Sequence, residues 1–332
     1  MSRRWLSPLV PLYRLALAAR EMRLRLGMEP VRRLRFPVIS IGNLSTGGSG
    51  KTPLTIALAK TLSQQGLTAD VLSRGYGRRS RLAVRVDPNG TAEEFGDEPL
   101  LIAREAHVPV YVASERYDAG QLAEADSSAD LGYGVHLLDD GFQHRQLARD
   151  ADIVLIDRED WQGRLLPAGN LREPITAIRR ATMLAIPEDD LEFEAELRGW
   201  GWQGLIWRVK RTMEVPPADG PVVAFCGIAR PEQFFGGLES AGMRVAARLT
   251  FPDHHRYTNA DVEKLTASAL AAGATALITT EKDAGRLGER AFAFKESLLL
   301  KTAGLRIEIQ EEGAALDWLT GLIAAVRPRP PL

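Results

Sequence analysis

Several short runs of the 332-residue chain carry side chains suited to handling phosphate. The stretch SIGNLSTGGSGKTP, Ser40 to Pro53, closes on Gly50-Lys51-Thr52, the end of a phosphate-binding loop. In such a loop the lysine reaches the β- and γ-phosphates and the threonine hydroxyl ligates Mg2+. Gly47, Gly48 and Gly50 can adopt positive φ and turn backbone N–H groups toward phosphate oxygens. Ser45, Thr46 and Ser49 fill the remaining loop positions. One feature departs from the G-x-x-x-x-G-K-[ST] pattern: its first position is Ser45. A glycine turn without a ligand would explain neither the Gly-Lys-Thr ending nor its place between an apolar run and a helix.

A nucleotide held through Mg2+ also needs a carboxylate at the end of a neighbouring strand. VHLLDDGFQH supplies Asp139 and Asp140 directly after apolar residues, with Asp139 the first choice for the metal and Asp140 the second. Adjacent acids repel unless a cation or hydrogen bonds offset the repulsion. The competing reading is a turn rich in Asp and Gly. The guanine-specific N-K-x-D is missing, since TTEKDA sets Lys282 immediately before Asp283. The early lysine of partition-type ATPases is Thr46 here. A kinase therefore needs an acceptor and a base. FGDEP offers Asp97 and Glu98, which read alone would cap a helix. FPDHHRYT offers Asp253, His254 and His255, which read alone would be a structural hydrogen-bonded group.

These residues need a scaffold. FPVISIGN reads as a buried strand, KTPLTIALAKTLSQQG as a helix stopped by Gly66, and TADVLSRGYG as a strand entering a basic glycine turn. GVHLLDDG and ADIVLID are further apolar runs ending in carboxylates. Such alternation argues for an α/β fold of the phosphate-loop type, with a mainly parallel sheet and helices on both faces. RTMEVPPADG marks a junction. PVVAFCGIA, MRVAARLTF and ATALITTEKDA then build a second, smaller α/β domain. The divisions are 1–30, 31–215 and 216–332, and the tail RPRPPL is expected to fray.

Apolar residues make up 45% and charged residues 26% of the chain, an ordinary globular balance. The net charge of −1 argues against a protein that coats nucleic acid. That average conceals an arm: residues 1–35 hold nine Arg against two Glu, a net of +7. Arg14, Arg20, Glu21, Arg23 and Arg25 forbid a spanning helix, and Arg14 also interrupts any signal-peptide core. Leu12, Leu15, Ala16, Ala19, Met22 and Leu26 instead form one stripe at helical spacing, with Arg14, Glu21 and Arg25 opposite and Arg23 at its edge. The arm is expected to lie on an anionic membrane surface, each Arg adding about 1 kcal/mol, or else to pack on its own protein. Cys226 is the sole thiol, so no intrachain disulfide exists and a reducing compartment is expected; it reads as a small core residue. The five His and one Cys show no zinc-like spacing, and no obligate protein partner is evident.

Taken in order, GNLSTGGSGKTP, LSRGYGRR, FGDEP, LLDDGFQH, LPAGNLREP, FPDHHRYT and TTEKDA resemble the tetraacyldisaccharide 4'-kinase family of lipid A biosynthesis. The blocks run from Gly42 to Ala284. The family tends to carry a small hydroxyl residue where Ser45 stands. The resemblance implies transfer of the ATP γ-phosphate to the 4'-hydroxyl of an acylated disaccharide 1-phosphate, with Mg2+. It implies a monotopic or peripheral enzyme on the cytoplasmic face of a Gram-negative inner membrane, whose second domain closes over the site. It assigns Asp97 as base, His254 as its partner and Lys51 as catalytic cation. Glu98 joins Thr52, Asp139 and Asp140 on the metal side. Arg74, Tyr76, Arg78, Gln143, His144, Arg172 and Glu173 are the candidate acceptor contacts, although Arg78 and Arg79 also read as a solvated basic turn. Two other functions stay open: a phosphate-loop kinase of a soluble acceptor, and a nucleotide-driven switch or partition ATPase.

Overall fold

The structure is a computed structural model that describes residues 4–127, 134–294 and 298–326. The expectation for the tail RPRPPL lies outside the described residues. Eleven α-helices are described. They are α1 (Val10–Arg25), α2 (Lys51–Gln64), α3 (Ala92–Phe95), α4 (Asp97–Ala106), α5 (Arg116–Asp126), α6 (Arg158–Trp161), α7 (Leu191–Gly199), α8 (Pro231–Ser240), α9 (Asn259–Ala271), α10 (Glu281–Leu287) and α11 (Glu312–Ala325). The strands are β1 (Val38–Asn43), β2 (Thr68–Ser73), β3 (Val84–Arg85), β4 (Val110–Val112), β5 (Gly134–Asp139), β6 (Ala151–Leu155), β7 (Met183–Pro187), β8 (Leu205–Glu214), β9 (Val222–Cys226), β10 (Val245–Thr250), β11 (Ala276–Thr280) and β12 (Leu299–Ile309). All belong to one sheet ordered β10-β9-β11-β12-β8-β7-β6-β1-β5-β2-β4-β3.

Two parallel blocks make up this sheet. From β8 to β4 every neighbouring pair is parallel, as is every pair from β10 to β12. The antiparallel β12–β8 pair joins the blocks, and the two-residue β3 closes one edge antiparallel to β4. The units expected at 31–215 and 216–332 therefore share a sheet. RTMEVPPADG is not all junction, because Arg211–Glu214 finish β8 and the loop begins after them.

β1 is buried along its whole length because both of its faces are covered, so it is rich in apolar residues and also buries Ser40 and Asn43. On one face, Ile39 and Ile41 meet Leu54 and Leu58 of α2, together with Ala315, Leu319 and Ile323 of α11. The last helix thus returns to the first block. On the other face, Leu44, Phe142, Val154 and Phe193 form a second core, against which Val10, Tyr13 and Leu17 of α1 pack. The second block has its own apolar layers, around Phe225 and Leu265 and around Phe234 and Phe235. Cys226 is fully buried there, as expected of a core residue.

One buried polar group ties this frame together. His136 of β5 is 1% exposed and lies between Asp70 of β2 (2.8 Å) and Glu124 of α5 (3.4 Å). Burial alone would depress its pKa, but the two carboxylates raise it from 6.5 to about 9. A raised histidine pKa gives stability that is complete below pH 6.5 and lost as pH climbs through about 9. The melting temperature is expected to fall across that interval, and scanning calorimetry of His136→Gln should show the slope removed. The variant also removes the cation beside buried Asp70, and breaking a buried pair costs about 3–5 kcal/mol, while Glu124 keeps the backbone N–H groups of Arg35 and Phe36.

Candidate functional site

The register of the sheet assembles the first half of the site. Ile41 of β1 pairs with Asp139 at the carboxyl end of β5, two residues before the loop leaves β1. Gly50 then caps α2 with φ 91°, a conformation that costs glycine least, and Lys51 starts the helix. Backbone N–H groups at such a helix start favour anions. Thr52 is buried in the first turn. Lys51 Nζ lies 3.7 Å from Asp140, and Arg172 donates to both Asp140 oxygens at 2.9 Å and to Gln143 Oε1 at 3.3 Å. Gln143 Nε2 in turn donates to the Asn43 carbonyl at 2.8 Å.

The pKa values of the adjacent acids are shifted in opposite directions. Asp139 accepts from Thr55 Oγ1 at 3.2 Å and is 1% exposed. Burial, with the charges of Glu98 and Asp140, pushes its pKa up to about 7 against the pull of Lys51 and Lys282. Burial raises Asp140 too, but Lys51 and Arg172 outweigh it and lower its pKa. Asp140 has φ 49° and His254 φ 58°, left-handed conformations uncommon outside glycine, although Asp and His adopt them more readily than most side chains. Among the described residues only His107 joins them outside glycine. Strain of this kind concentrates at functional sites.

The second half comes from a glycine contact and from the second block. A Cβ on Gly96 would lie 2.9 Å from Gly75, so the FGDEP and SRGYG turns can meet only as glycines. Asp97 and Glu98 follow directly in α4 and face α10. Arg286 donates to Asp97 Oδ2 through Nε (2.9 Å) and Nη2 (2.6 Å), and Lys282 Nζ donates to Glu98 Oε1 at 2.6 Å. His254 Nδ1 is 3.3 Å from the same Asp97 oxygen. Burial by itself would raise Asp97, yet the His254 hydrogen bond and the charges of Arg286 and Lys282 hold its carboxyl well below the usual range. The hydrogen bond that His254 donates to Asp97 raises His254 in return. Tyr76 stands against His254 with ring centroids 5.2 Å apart.

Not every expected contact resides in this cluster. Arg74 and Tyr76 are exposed beside it, and Arg78 donates to the Leu82 carbonyl while packing on Gly75. Arg79 pairs with Glu93 at 2.6 Å on the surface, as the solvated-turn reading held. Glu173 is buried and pairs with Arg180 at 2.5 Å. Burial and the nearby Arg116 and Arg149 push His144 down to about 3, so it is neutral near pH 7. His255 turns away to Asp261 at 3.1 Å. Sequence reasoning gave no role to Arg286 or Lys282, although Lys282 sat inside a quoted block. It also missed Arg116, which is 8% exposed, feels the charges of Asp140, Arg74 and Asp139, and leaves Nε without a partner among the described residues.

Among the described residues, no three His, Cys, Asp or Glu side chains gather as a ready metal cluster. The donor chemistry nonetheless suits a hard divalent cation. Burial first, and then the charges of Glu98 and Asp140, raise Asp139, and a bound cation would offset both.

Strand, glycine loop and helix, with an acid pair ending the adjacent parallel strand, define a phosphate-loop kinase class. A sequence model described as tetraacyldisaccharide-1-P 4'-kinase matches residues 2–324. The tetraacyldisaccharide 4'-kinase of Koribacter versatilis (strain Ellin345) is 41% identical over 328 residues, covering 96% of this chain and 98% of that one. That of Anaeromyxobacter sp. (strain K) is 38% identical over 348 residues, covering 96% and 90%. A crystal structure of LpxK from Aquifex aeolicus in complex with ATP is similar with TM-score 0.75 and 33% identity, covering 98% of this chain and 100% of that one. The chain belongs to the tetraacyldisaccharide 4'-kinase family and is a kinase of that family.

Proposed function

We propose that the protein transfers the γ-phosphate of ATP to the 4'-hydroxyl of a tetraacyldisaccharide 1-phosphate at the cytoplasmic face of the inner membrane. The observation that carries this reading is the position of α1. Its Val10, Tyr13 and Leu17 side packs on the core, while Leu12, Leu15, Met22 and Leu26 are more than 60% exposed. Tyr13 donates to the Arg172 carbonyl at 2.8 Å and Arg20 to the Gln143 carbonyl. An apolar stripe left exposed among the described residues therefore adjoins the segments that flank Asp140 and Lys51. One side of the helix packs on its own protein, and the exposed side is the one we read as facing the membrane. No described helix is long and apolar enough to cross a membrane.

In the reaction the acceptor oxygen bonds to the γ-phosphorus as the bond to the β-phosphate oxygen breaks, releasing ADP. Asp97, held ionised, takes the hydroxyl proton, and His254 hydrogen-bonds and orients it. Lys51 and the loop N–H groups bind the phosphate oxygens. Thr52, Asp139, Glu98 and Asp140 would hold Mg2+, which when bound neutralises phosphate charge. Arg172, Gln143, Arg74, Tyr76 and Arg78 are acceptor-side contacts, arginine suiting the substrate phosphate. The 216–332 unit closes over the site through α10 and the His254 loop.

The test is labelled ATP with Mg2+ and tetraacyldisaccharide 1-phosphate in detergent micelles. Label in the lipid fraction, absent with a soluble glucosamine disaccharide 1-phosphate, supports the reading; transfer to the soluble acceptor alone overturns it. Leu12→Glu, Leu15→Glu and Met22→Glu together should cut binding to anionic vesicles by tenfold or more, as about three buried apolar groups are lost. ATP affinity should stay unchanged. Undiminished cosedimentation with vesicles would remove the membrane role of the stripe.

A further inference from the structure

Ser45 departs from the loop pattern, and its surroundings show what replaced the glycine. It is fully buried, and its Oγ accepts from Asn43 Nδ2 at 2.9 Å beside the Asp160 carboxylate, whose Oδ2 has no hydrogen-bond partner among the described residues. Asp160 is also fully buried, and its backbone N–H donates to Asp157 Oδ1 at 2.9 Å. From the second strand block, Arg230 reaches these acids: Nη2 lies 3.4 Å from Asp160, and Nη1 lies 3.3 Å from Asp157 and 3.4 Å from Glu159. Arg211 of β8 donates to the Ser49 carbonyl at 2.7 Å and stands 3.8 Å from Asp157.

The same segment covers the loop itself. A Cβ on Gly47 would lie 2.5 Å from the Ala229 Cβ, and one on Gly48 2.7 Å from the Arg230 Cδ. The glycines serve two ends, adopting φ 105° and 57° and admitting a neighbouring chain against their backbone. A loop of three positive-φ glycines is flexible, and ordering it on ligand binding weakens affinity unless it is ordered beforehand.

We propose that Arg230, with Asp157, Asp160 and Ser45, is a positioning group that clamps the phosphate loop from the second strand block and so sets its affinity for a nucleoside triphosphate. The proposal rests on the reading of this loop as the nucleotide site. The clamp touches neither Asp97 nor the acceptor-side residues, so its loss is felt in nucleotide binding before chemistry. It also makes docking of the second block and nucleotide binding mutually reinforcing.

Calorimetric titration of the full chain with ATP and Mg2+ tests this, beside steady-state kinetics and thermal melting. Arg230→Ala is expected to weaken ATP binding about tenfold, within the usual range of such couplings. It should change kcat at saturating ATP and KM for the lipid by less than about threefold, while Arg230→Lys recovers most of the affinity. Asp160→Asn added to Arg230→Ala should cost little more than Arg230→Ala alone, since one clamp is already open. If Arg230→Ala fails to fold, Arg230→Gln carries the same expectation. A folded Arg230→Ala or Arg230→Gln with wild-type ATP affinity overturns the clamp, as does a loss confined to kcat. Wild-type protein that binds no ATP overturns instead the nucleotide reading on which the clamp rests.

Discussion

Lys51→Ala is expected to lower kcat/KM for phosphoryl transfer by about a thousandfold, the scale of losing one preorganised charge at a transferring phosphoryl group. Lys51 is nearly buried at the head of α2, and its ammonium stands beside Asp140. Its charge also opposes the raised pKa of Asp139. Removing it takes away a phosphate ligand and leaves the acids more repulsive toward an incoming polyphosphate. The fold is expected to persist, because Asp140 keeps both hydrogen bonds from Arg172 and α2 keeps its apolar contacts. Label transfer measured beside the melting temperature separates these effects. Near-normal turnover in a folded variant would remove the phosphate-loop assignment. Lys51→Arg is not expected to rescue, since a planar guanidinium cannot act as a compact point charge in a cradle shaped for ammonium.

The elements around Lys51 were the legible part of this chain, for a local reason. β1, the loop and α2 are contiguous, and β1 and β5 carry apolar runs because both faces of their sheet are covered. The acid pair was legible because it ends such a run. β8 was missed although Trp207, Val209 and Met213 alternate with exposed or half-exposed polar residues; its charged end had been absorbed into the junction. β12 was missed with it, and so was the antiparallel pairing that makes one sheet of two blocks. Strand partners 90 to 100 residues apart leave no local trace. The arm's apolar stripe was read correctly from periodicity, but its packed side was not, because Val10, Tyr13 and Leu17 matter only through the core they meet. Arg286 and Arg230 were invisible for the same reason: neither stands in a recognisable pattern, and each gains meaning from an acid supplied by a distant segment.

Asp97→Asn is expected to lower kcat by about 10²–10⁴-fold, the usual contribution of a general base, while KM for ATP moves less than about threefold. Asparagine keeps the size of the side chain and can still accept from Arg286, so α4 and α10 remain docked and a fall in rate reports the lost proton acceptor. The neighbouring cations give the prediction its discriminating power. Arg286 and His254 both approach Asp97 Oδ2, whereas Oδ1 accepts the Glu98 backbone N–H at 3.1 Å. If Asp97 served only to anchor α10, Asp97→Asn and Arg286→Gln would weaken the same ion pair and lower kcat to similar extents. If Asp97 is the base, Arg286→Gln leaves the carboxylate in place with His254 beside it, and its kcat should exceed that of Asp97→Asn by at least tenfold. Equal losses in the two variants would make Asp97 a docking residue and return the search for the base to His254. Unequal losses, with Arg286→Gln the faster variant and ATP binding unchanged, would leave the proton on Asp97, which lies 3.3 Å from His254 Nδ1, closer than Asp253 at 4.0 Å from its Nε2.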